Sequence, residues 1–196
     1  NDVITDRDLG YKKVDKLVFG EGISQSDVHF RSVGNNLVVV ITDPQTGEES
    51  TITITNAVTD SYYRIEEMHF ADGTVITGDW LTQFDTKGSA ENDVINGTNS
   101  SERIYGLAGN DIIVSGFGND TLDGGEGDDN LSSSISANSR NDTNTFIGGL
   151  GNDQLTGGSS ADTYIYRLGD GNDVITDRDL GYKKVDKLVF GEGISQ

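Results

Sequence analysis

Cysteine is absent from this chain of 196 residues, which excludes a disulfide framework and any thiolate metal site. Proline occurs once, at Pro44, and hydrophobic residues make up only 33% of the chain, too few for a conventional thick core. Lysine and arginine total 14 against 33 aspartates and glutamates, a formal charge of −19. That field repels nucleic acid and anionic membranes, so neither nucleic-acid binding nor membrane insertion is expected. No apolar run reaches the roughly 20 residues of a membrane helix, and the first residues carry no signal-peptide pattern. Histidine occurs only at His29 and His69, with no HExxH, GxSxG or Walker A sequence anywhere. Glu66 and Glu67 are adjacent and so point to opposite faces of a strand, which argues against a catalytic carboxylate pair. No catalytic residue is nominated.

What remains is aspartate and glycine. Multivalent cations suit such an acidic chain, and without one, self-repulsion and low apolar content predict disorder. The 26 glycines supply positions of positive φ or close backbone approach. In 106–129, GLAGNDIIVSGFGNDTLDGGEGDD, aspartate recurs every nine residues at Asp111, Asp120 and Asp129, always two residues after a glycine. With aspartate as the sixth residue of each unit, turns end at Asp93, Glu102, Asp111, Asp120, Asp129, Asn144, Asp153, Asp162 and Asp173. Serine replaces glycine at Ser100 and Ser160, an insertion of about six residues falls in 132–141, and the last interval carries two extra residues.

In the unit GGxGxDxUx, six residues turn and three form a short strand whose apolar residue U faces inward. The inward set is Val94 or Ile95, Ile104, Ile112 or Ile113, Leu122, Leu131, Phe146, Leu155 and Tyr164. Two turns make one coil, so turns on the same side lie eighteen residues apart and become spatial neighbours. Calcium takes six to eight oxygen ligands in tolerant geometry, and stacked turns offer carbonyls and carboxylates in that number. Binding and folding are then expected to be one event.

The first 84 residues read differently, with strands at 15–19, 28–31, 37–42, 50–55 and 62–70. Pro44 and Gly47 mark the turn of a hairpin between 37–42 and 50–55, and 79–84 reads as one helical turn capped by Asp79. Residues 1–25 recur unchanged at 172–196, an offset of 171, which predicts a parent chain built as a tandem array, with this chain as an excised fragment. The expected organisation is a flanking β module over 1–87, a parallel β-roll over 88–176 and the start of the next flanking module over 177–196. The fold class is all-β.

Residues 106–129 and 147–162 resemble the repeats-in-toxin (RTX) nonapeptide arrays of secreted bacterial proteins. The stretches DKLVFGEGISQSDVHF and RIEEMHFADGTVITGDWL are similar to the haemolysin-type calcium-binding related domain that accompanies such arrays in adenylate cyclase toxin blocks and giant adhesins. Together the two resemblances cover nearly the whole chain. One departure is 56–58, NAV, where related modules often carry an aromatic residue. The resemblance implies several Ca2+ ions, export through a type I secretion channel and calcium-driven folding outside the cell or on its surface. It assigns carboxylate ligands to Asp93, Asp111, Asp120, Asp129, Asp153, Asp162 and Asp173. It assigns metal-binding turn carbonyls to Gly106, Ala108, Gly109, Gly116, Gly118, Gly124, Gly125, Gly127, Gly148, Gly149, Gly151, Gly157, Gly158 and Gly171.

Other readings carry less. Asp6, Asp8 and Asp15 loosely follow an EF-hand loop, but its glycine and terminal glutamate are missing. Trp80, Tyr62 and Tyr63 could stack on sugars of cell-surface glycans, giving a carbohydrate-binding module as the alternative function; Trp80 reads more readily as a core anchor. The principal expectation is a structural calcium-binding repeat of an adhesin or toxin, with adjacent copies of itself as neighbours.

Overall fold

The computed structural model describes residues 2–5, 14–58, 65–77, 85–133, 142–159, 161–178 and 184–194. The chain divides into two compact units, Asn1–Asp85 and Thr86–Gln196. Among the described residues there is no α-helix, and the architecture is all-β.

The first unit holds strands β1 (Asp2–Ile4), β2 (Lys16–Val18), β3 (Val28–Val33), β4 (Asn36–Thr42), β5 (Glu49–Ile54), β6 (Glu67–His69) and β7 (Val75–Thr77). β3, β4 and β5 form an antiparallel meander, and β1 joins the free edge of β5 in parallel. The β4–β5 hairpin closes because the Asp43 carboxylate accepts the backbone N–H groups of Gln45 at 2.7 Å and Thr46 at 3.2 Å, while Gly47 takes positive φ. In a second sheet β6 lies between a parallel β2 and an antiparallel β7. Phe30, Leu37, Val39, Ile54 and Met68 are fully enclosed in the core, and Phe19 stacks on Phe70 with centroids 4.8 Å apart. At 56–58 no aromatic residue is needed. Asn56 turns the chain at φ 58, held by its N–H donating to Asn36 Oδ1, and buries Ala57 and Val58 behind it. The helical turn expected over 79–84, the start of the strand expected over 62–70, and most of the 132–141 insertion lie outside the described residues.

The second unit is a coil of parallel strands: β8 (Asp85–Lys87), β9 (Val94–Asn96), β10 (Arg103–Ala108), β11 (Ile112–Val114), β12 (Thr121–Glu126), β13 (Asn130–Ser132), β14 (Thr145–Leu150), β15 (Gln154–Thr156), β16 (Thr163–Tyr166), β17 (Val174–Thr176) and β18 (Lys187–Phe190). Even-numbered strands stack in the order β8-β10-β12-β14-β16-β18 and odd-numbered ones in the order β9-β11-β13-β15-β17. A parallel β-roll is therefore what the chain forms. Register is set by one apolar residue per strand: Ile104 faces Leu122, Leu122 faces Phe146, and Phe146 faces Tyr164. Opposite them Ile95, Ile113, Leu131 and Leu155 align. Ile95 and Ile113 are the inward members of their pairs, while Val94 and Ile112 are exposed, because a strand shows alternate residues to opposite faces.

Two features differ from the sequence expectation. β10, β12 and β14 are six residues long and run into the turns, because stacked turn backbones go on bonding in register, as when the Gly109 N–H donates to the Glu126 carbonyl. The coil also continues past Thr176. Lys187–Phe190, expected to belong to the next flanking module, pairs in parallel with β16.

Candidate metal centre

Each turn ends on an aspartate, or on Glu102 or Asn144 in its place, whose backbone N–H donates to a side-chain oxygen of the corresponding residue in the next turn on the same side. On one side the ladder runs from Asp93 N to Asp111 Oδ1 (2.8 Å), Asp111 N to Asp129 Oδ1 (2.8 Å), Asp129 N to Asp153 Oδ1 (2.8 Å) and Asp153 N to Asp173 Oδ1 (3.1 Å). On the other it runs from Glu102 N to Asp120 Oδ1 (2.9 Å), Asp120 N to Asn144 Oδ1 (3.0 Å), Asn144 N to Asp162 Oδ1 (2.8 Å) and Asp162 N to Asp186 Oδ1 (3.0 Å). Steps are eighteen residues in the regular part, 24 across the insertion and 20 at the last turn. The nine-residue period thus becomes two columns of carboxylates.

One oxygen of each carboxylate serves the ladder. The second separates the turns into two kinds. In Asp111, Asp120, Asp129 and Asp153 the Oδ2 atom is buried with no hydrogen-bond partner. In Asp93 it accepts from the Ser89 N–H and hydroxyl at 2.6 and 2.9 Å, in Asp162 from the Gly158 N–H at 3.0 Å, and Glu102 Oε2 likewise accepts from the Thr98 N–H. A buried carboxylate oxygen without a donor costs free energy unless something cationic meets it.

The glycines explain why those oxygens have room. A Cβ on Gly106 would strike Asp111 Oδ2 and the Gly124 carbonyl, and one on Gly124 would strike Asp129 Oδ2 and the Gly148 carbonyl. A Cβ on Gly148 would strike Asp153 Oδ2. In the turns of Asp111 and Asp129 the first glycine therefore keeps open a cradle lined by a carboxylate and a neighbouring carbonyl, and in that of Asp153 one lined by the carboxylate, whereas the Asp120 turn begins with Ser115. The second position requires positive φ, taken by Gly125 and Gly149 near 100°. Leu107 occupies the equivalent position at φ 85, a strained conformation for a branched side chain held by its pairing with Gly125. Ala108 closes β10, Gly109, Gly127 and Gly151 follow the long strands, Gly116 and Gly118 follow β11, Gly157 and Gly158 follow β15, and Gly171 bridges to Gly151.

Burial pushes the carboxyls of Asp120 and Asp129 up to about 7 and that of Asp153 up to about 6; at Asp129 the Asp111 and Asp153 carboxylates add to the rise. Asp111, Asp162 and Asp173 are raised by the same desolvation. Oxygen-only donors, orphaned buried carboxylates and glycine-made cradles fit a hard divalent cation such as Ca2+. Bound there, the cation supplies the positive charge that these stacked anions lack.

A pH dependence follows. A carboxyl whose folded value is raised above its unfolded one stabilises the fold most below the unfolded value, and that contribution is lost as pH rises through the folded value. In chelator, then, the coil is expected to gain β-structure on acidification from pH 8 to pH 4, beginning near 6–7 where the folded carboxyls of Asp120, Asp129 and Asp153 take up protons and continuing down to the unfolded value near 4. Far-ultraviolet circular dichroism reads it, and β-signal that falls on acidification over that range would contradict the assignment.

Two acidic residues escaped sequence reading. Asp177 and Asp186 bring carboxylate oxygens within 4.8 Å of each other and of Asp162, and Asp177 Oδ2 accepts the Tyr164 hydroxyl at 2.8 Å. Asp186 was legible in principle, since it lies 24 residues after Asp162, the step that also separates Asp120 from Asn144. Asp177 follows no period. The residue before each aspartate was also missed: Asn92, Asn110, Asp128 and Asn152 form an outer ladder in which each side-chain oxygen accepts the N–H of the next.

The remaining candidates are engaged otherwise. Asp15 donates its N–H to Glu66 Oε2, and Glu67 pairs with Lys16 at 2.9 Å and His69 at 2.7 Å, so the adjacent glutamates do serve different partners. Asp6, Asp8, Tyr62, Tyr63 and Trp80 lie outside the described residues. Among the described residues no helix is long and apolar enough to cross a membrane.

Comparison with known families places these turns. Residues 87–113, 96–131 and 139–175 match the RTX calcium-binding nonapeptide repeat, and residues 36–79 match the haemolysin-type calcium binding protein related domain. No curated protein matches the chain.

Proposed function

From a chain that carries RTX calcium-binding nonapeptide repeats beside a haemolysin-type calcium binding protein related domain, we infer a calcium-ordered structural element of a long protein exported by type I secretion and held outside the cell, in an adhesin or a toxin. The coarser statement needs no inference: the chain is a calcium-binding structural repeat taking several Ca2+ ions. The observation that carries the rest is the set of buried, unpartnered Oδ2 atoms of Asp111, Asp120, Asp129 and Asp153. They make the coil unstable wherever calcium is scarce, as in the cytoplasm, and stable where it is plentiful. A chain that must pass a channel unfolded and fold afterwards needs that asymmetry.

The residues divide the work plainly. Aspartate Oδ1 atoms lock one turn to the next, Oδ2 atoms and glycine-exposed carbonyls hold the cation, and the two facing columns of apolar residues exclude water between the two sheets. No enzymatic role is proposed. The boundary assigned from sequence between a flanking module to 87 and a roll from 88 stands as part of this reading, while the roll's end, assigned to 176, moves on to take in Lys187–Phe190. The ligands Asp93, Asp162 and Asp173 at its margins and the neighbouring copies of the repeat belong to the reading too.

A single-molecule stretching experiment on the chain tests it: with calcium present, extension is expected to show a discrete unfolding step from the coil, and in chelator that step vanishes. Equal force traces in both conditions would remove the mechanical role. A glycan array probed with calcium present addresses the carbohydrate-binding alternative, and specific binding there would favour it.

A further inference from the structure

The described residues of the identical segments 1–25 and 172–196 lie in two different settings, and comparison of the settings shows what a repeated copy would bind. In the second copy, Val174–Thr176 pairs with β15 and Lys187–Phe190 pairs with β16, both strands of the roll. In the first copy, Asp2–Ile4 pairs with β5 and Lys16–Val18 pairs with β6, both strands of the flanking module. All four pairings are parallel.

The two settings use opposite edges of the same strands. In the roll, the Val174 N–H donates to the Asp153 carbonyl and the Thr176 carbonyl accepts from Gly157. In the module it is the residue between, Ile4, the counterpart of Ile175, whose carbonyl accepts from Thr55. Likewise Lys187 and Gly191 donate to the carbonyls of Asp162 and Tyr166, whereas Phe19, the counterpart of Phe190, donates to the His69 carbonyl. Alternate backbone groups of a strand point to opposite edges, so neither pairing uses what the other needs. Asp186 makes the point in one residue: its side chain accepts the Asp162 N–H, while in its counterpart Asp15 the main-chain carbonyl accepts the N–H groups of Glu66 and Glu67.

The apolar surface tells the same story. Leu188 is 51% exposed and Phe190 56% exposed, while their counterparts Leu17 and Phe19 are 9% and 4% exposed inside the module core. Ile175 is 40% exposed, and its counterpart Ile4 packs against that core. Register makes the columns continuous. Tyr164 faces Leu188, and the counterpart Leu17 faces Met68; Leu155 faces Ile175, and the counterpart Ile4 faces Ile54.

We propose that the free edges of β17 and β18 are a docking surface for a second copy of the flanking module, so that consecutive units share these two strands and both sheets and both core columns run through the joint without a linker. This rests on the reading of the chain as a repeat, but its failure is distinguishable, because calcium-driven folding of the roll is measured separately by circular dichroism.

The test appends a second copy of residues 26–87 after Gln196 of the full chain and follows amide hydrogen exchange in calcium. In the chain of 196 residues, Val174, Lys187 and Gly191 are expected to be protected and Phe190 to exchange quickly. In the extended chain Phe190 is expected to slow by at least about a hundredfold while Val174, Lys187 and Gly191 stay protected. No change at Phe190 overturns the proposal. Loss of protection at Val174 and Lys187 also overturns it, since it would mean that the module takes the strands away from the roll. Glu67→Pro in the appended copy alone removes the N–H that in the first module donates to the Asp15 carbonyl, and it should abolish the gain at Phe190 while leaving the circular dichroism of the calcium-loaded roll unchanged; persistence of the gain would count against the shared strand.

Discussion

Chelating calcium is expected to abolish the β-structure of the coil, and restoring it to return the signal in one cooperative step. The apolar core of this unit is two facing files with one residue per strand, Ile95, Ile113, Leu131 and Leu155 against Ile104, Leu122, Phe146 and Tyr164, too thin to offset the repulsion of two columns of aspartates. With about six sites and free calcium at ten times the dissociation constant, each site contributes about 1.4 kcal/mol, and the roughly 8 kcal/mol total equals the stability of an ordinary domain. The first unit keeps its own core around Phe30, Val39 and Met68, so a residual β-signal is expected to survive chelation. Magnesium, which demands octahedral geometry and sheds water reluctantly, is expected to substitute poorly. A calcium titration followed by circular dichroism reads the transition. An unchanged β-spectrum in chelator, with amides at Ile113 and Leu131 still protected from exchange, would sink the coupling of folding to calcium.

Replacing Asp129 by asparagine is expected to move stability in opposite directions with and without the ion. Asparagine keeps the oxygen that accepts the Asp111 N–H at 2.8 Å and substitutes an amide for the buried, unpartnered Oδ2. Without calcium the change removes a desolvated charge lying between Asp111 and Asp153, so the melting temperature in chelator should rise. With calcium it removes an anionic ligand, and affinity at the adjoining site should fall at least about tenfold, or about 1.4 kcal/mol. Asn144 already occupies the equivalent place in the other ladder, where its amide nitrogen bonds Asp162 Oδ1 at 3.1 Å, so the fold tolerates the residue. Melting curves of Asp129→Asn in chelator and in calcium decide the matter. A fall in both would make Asp129 a purely structural link in the ladder.

The nine-residue phase of aspartate made the coil legible because it repeats a local event. A glycine-rich turn followed by three residues of strand recurs until its inward residues align, and Leu122 under Ile104 follows from counting alone. The hairpin between β4 and β5 was legible for a similar reason, since Asp43, Pro44 and Gly47 mark its turn between two apolar runs. The choice of Ile95 over Val94 was not, because both residues are apolar and only the stacking of neighbouring coils decides which faces inward. Nor was the split among the aspartates. Aspartate ends most turns, yet Asp129 leaves an oxygen bare while Asp93 spends it on Ser89, a difference that follows the backbone after the first glycine, which takes positive φ at Gly125 but not at Ser89.

By itself the sequence determined the class of the fold and the ion it takes, since both follow from short-range spacing of glycine, aspartate and one apolar side chain. Only the tertiary structure decided where the coil stops. The segment DKLVF is the same at 15–19 and 186–190, and no local rule distinguishes a strand that closes a module from one that extends a roll. The difference lies in the edge each copy presents to its neighbour, β6 in one case and β16 in the other, and hydrogen bonding to a neighbour is a property of the assembled sheet.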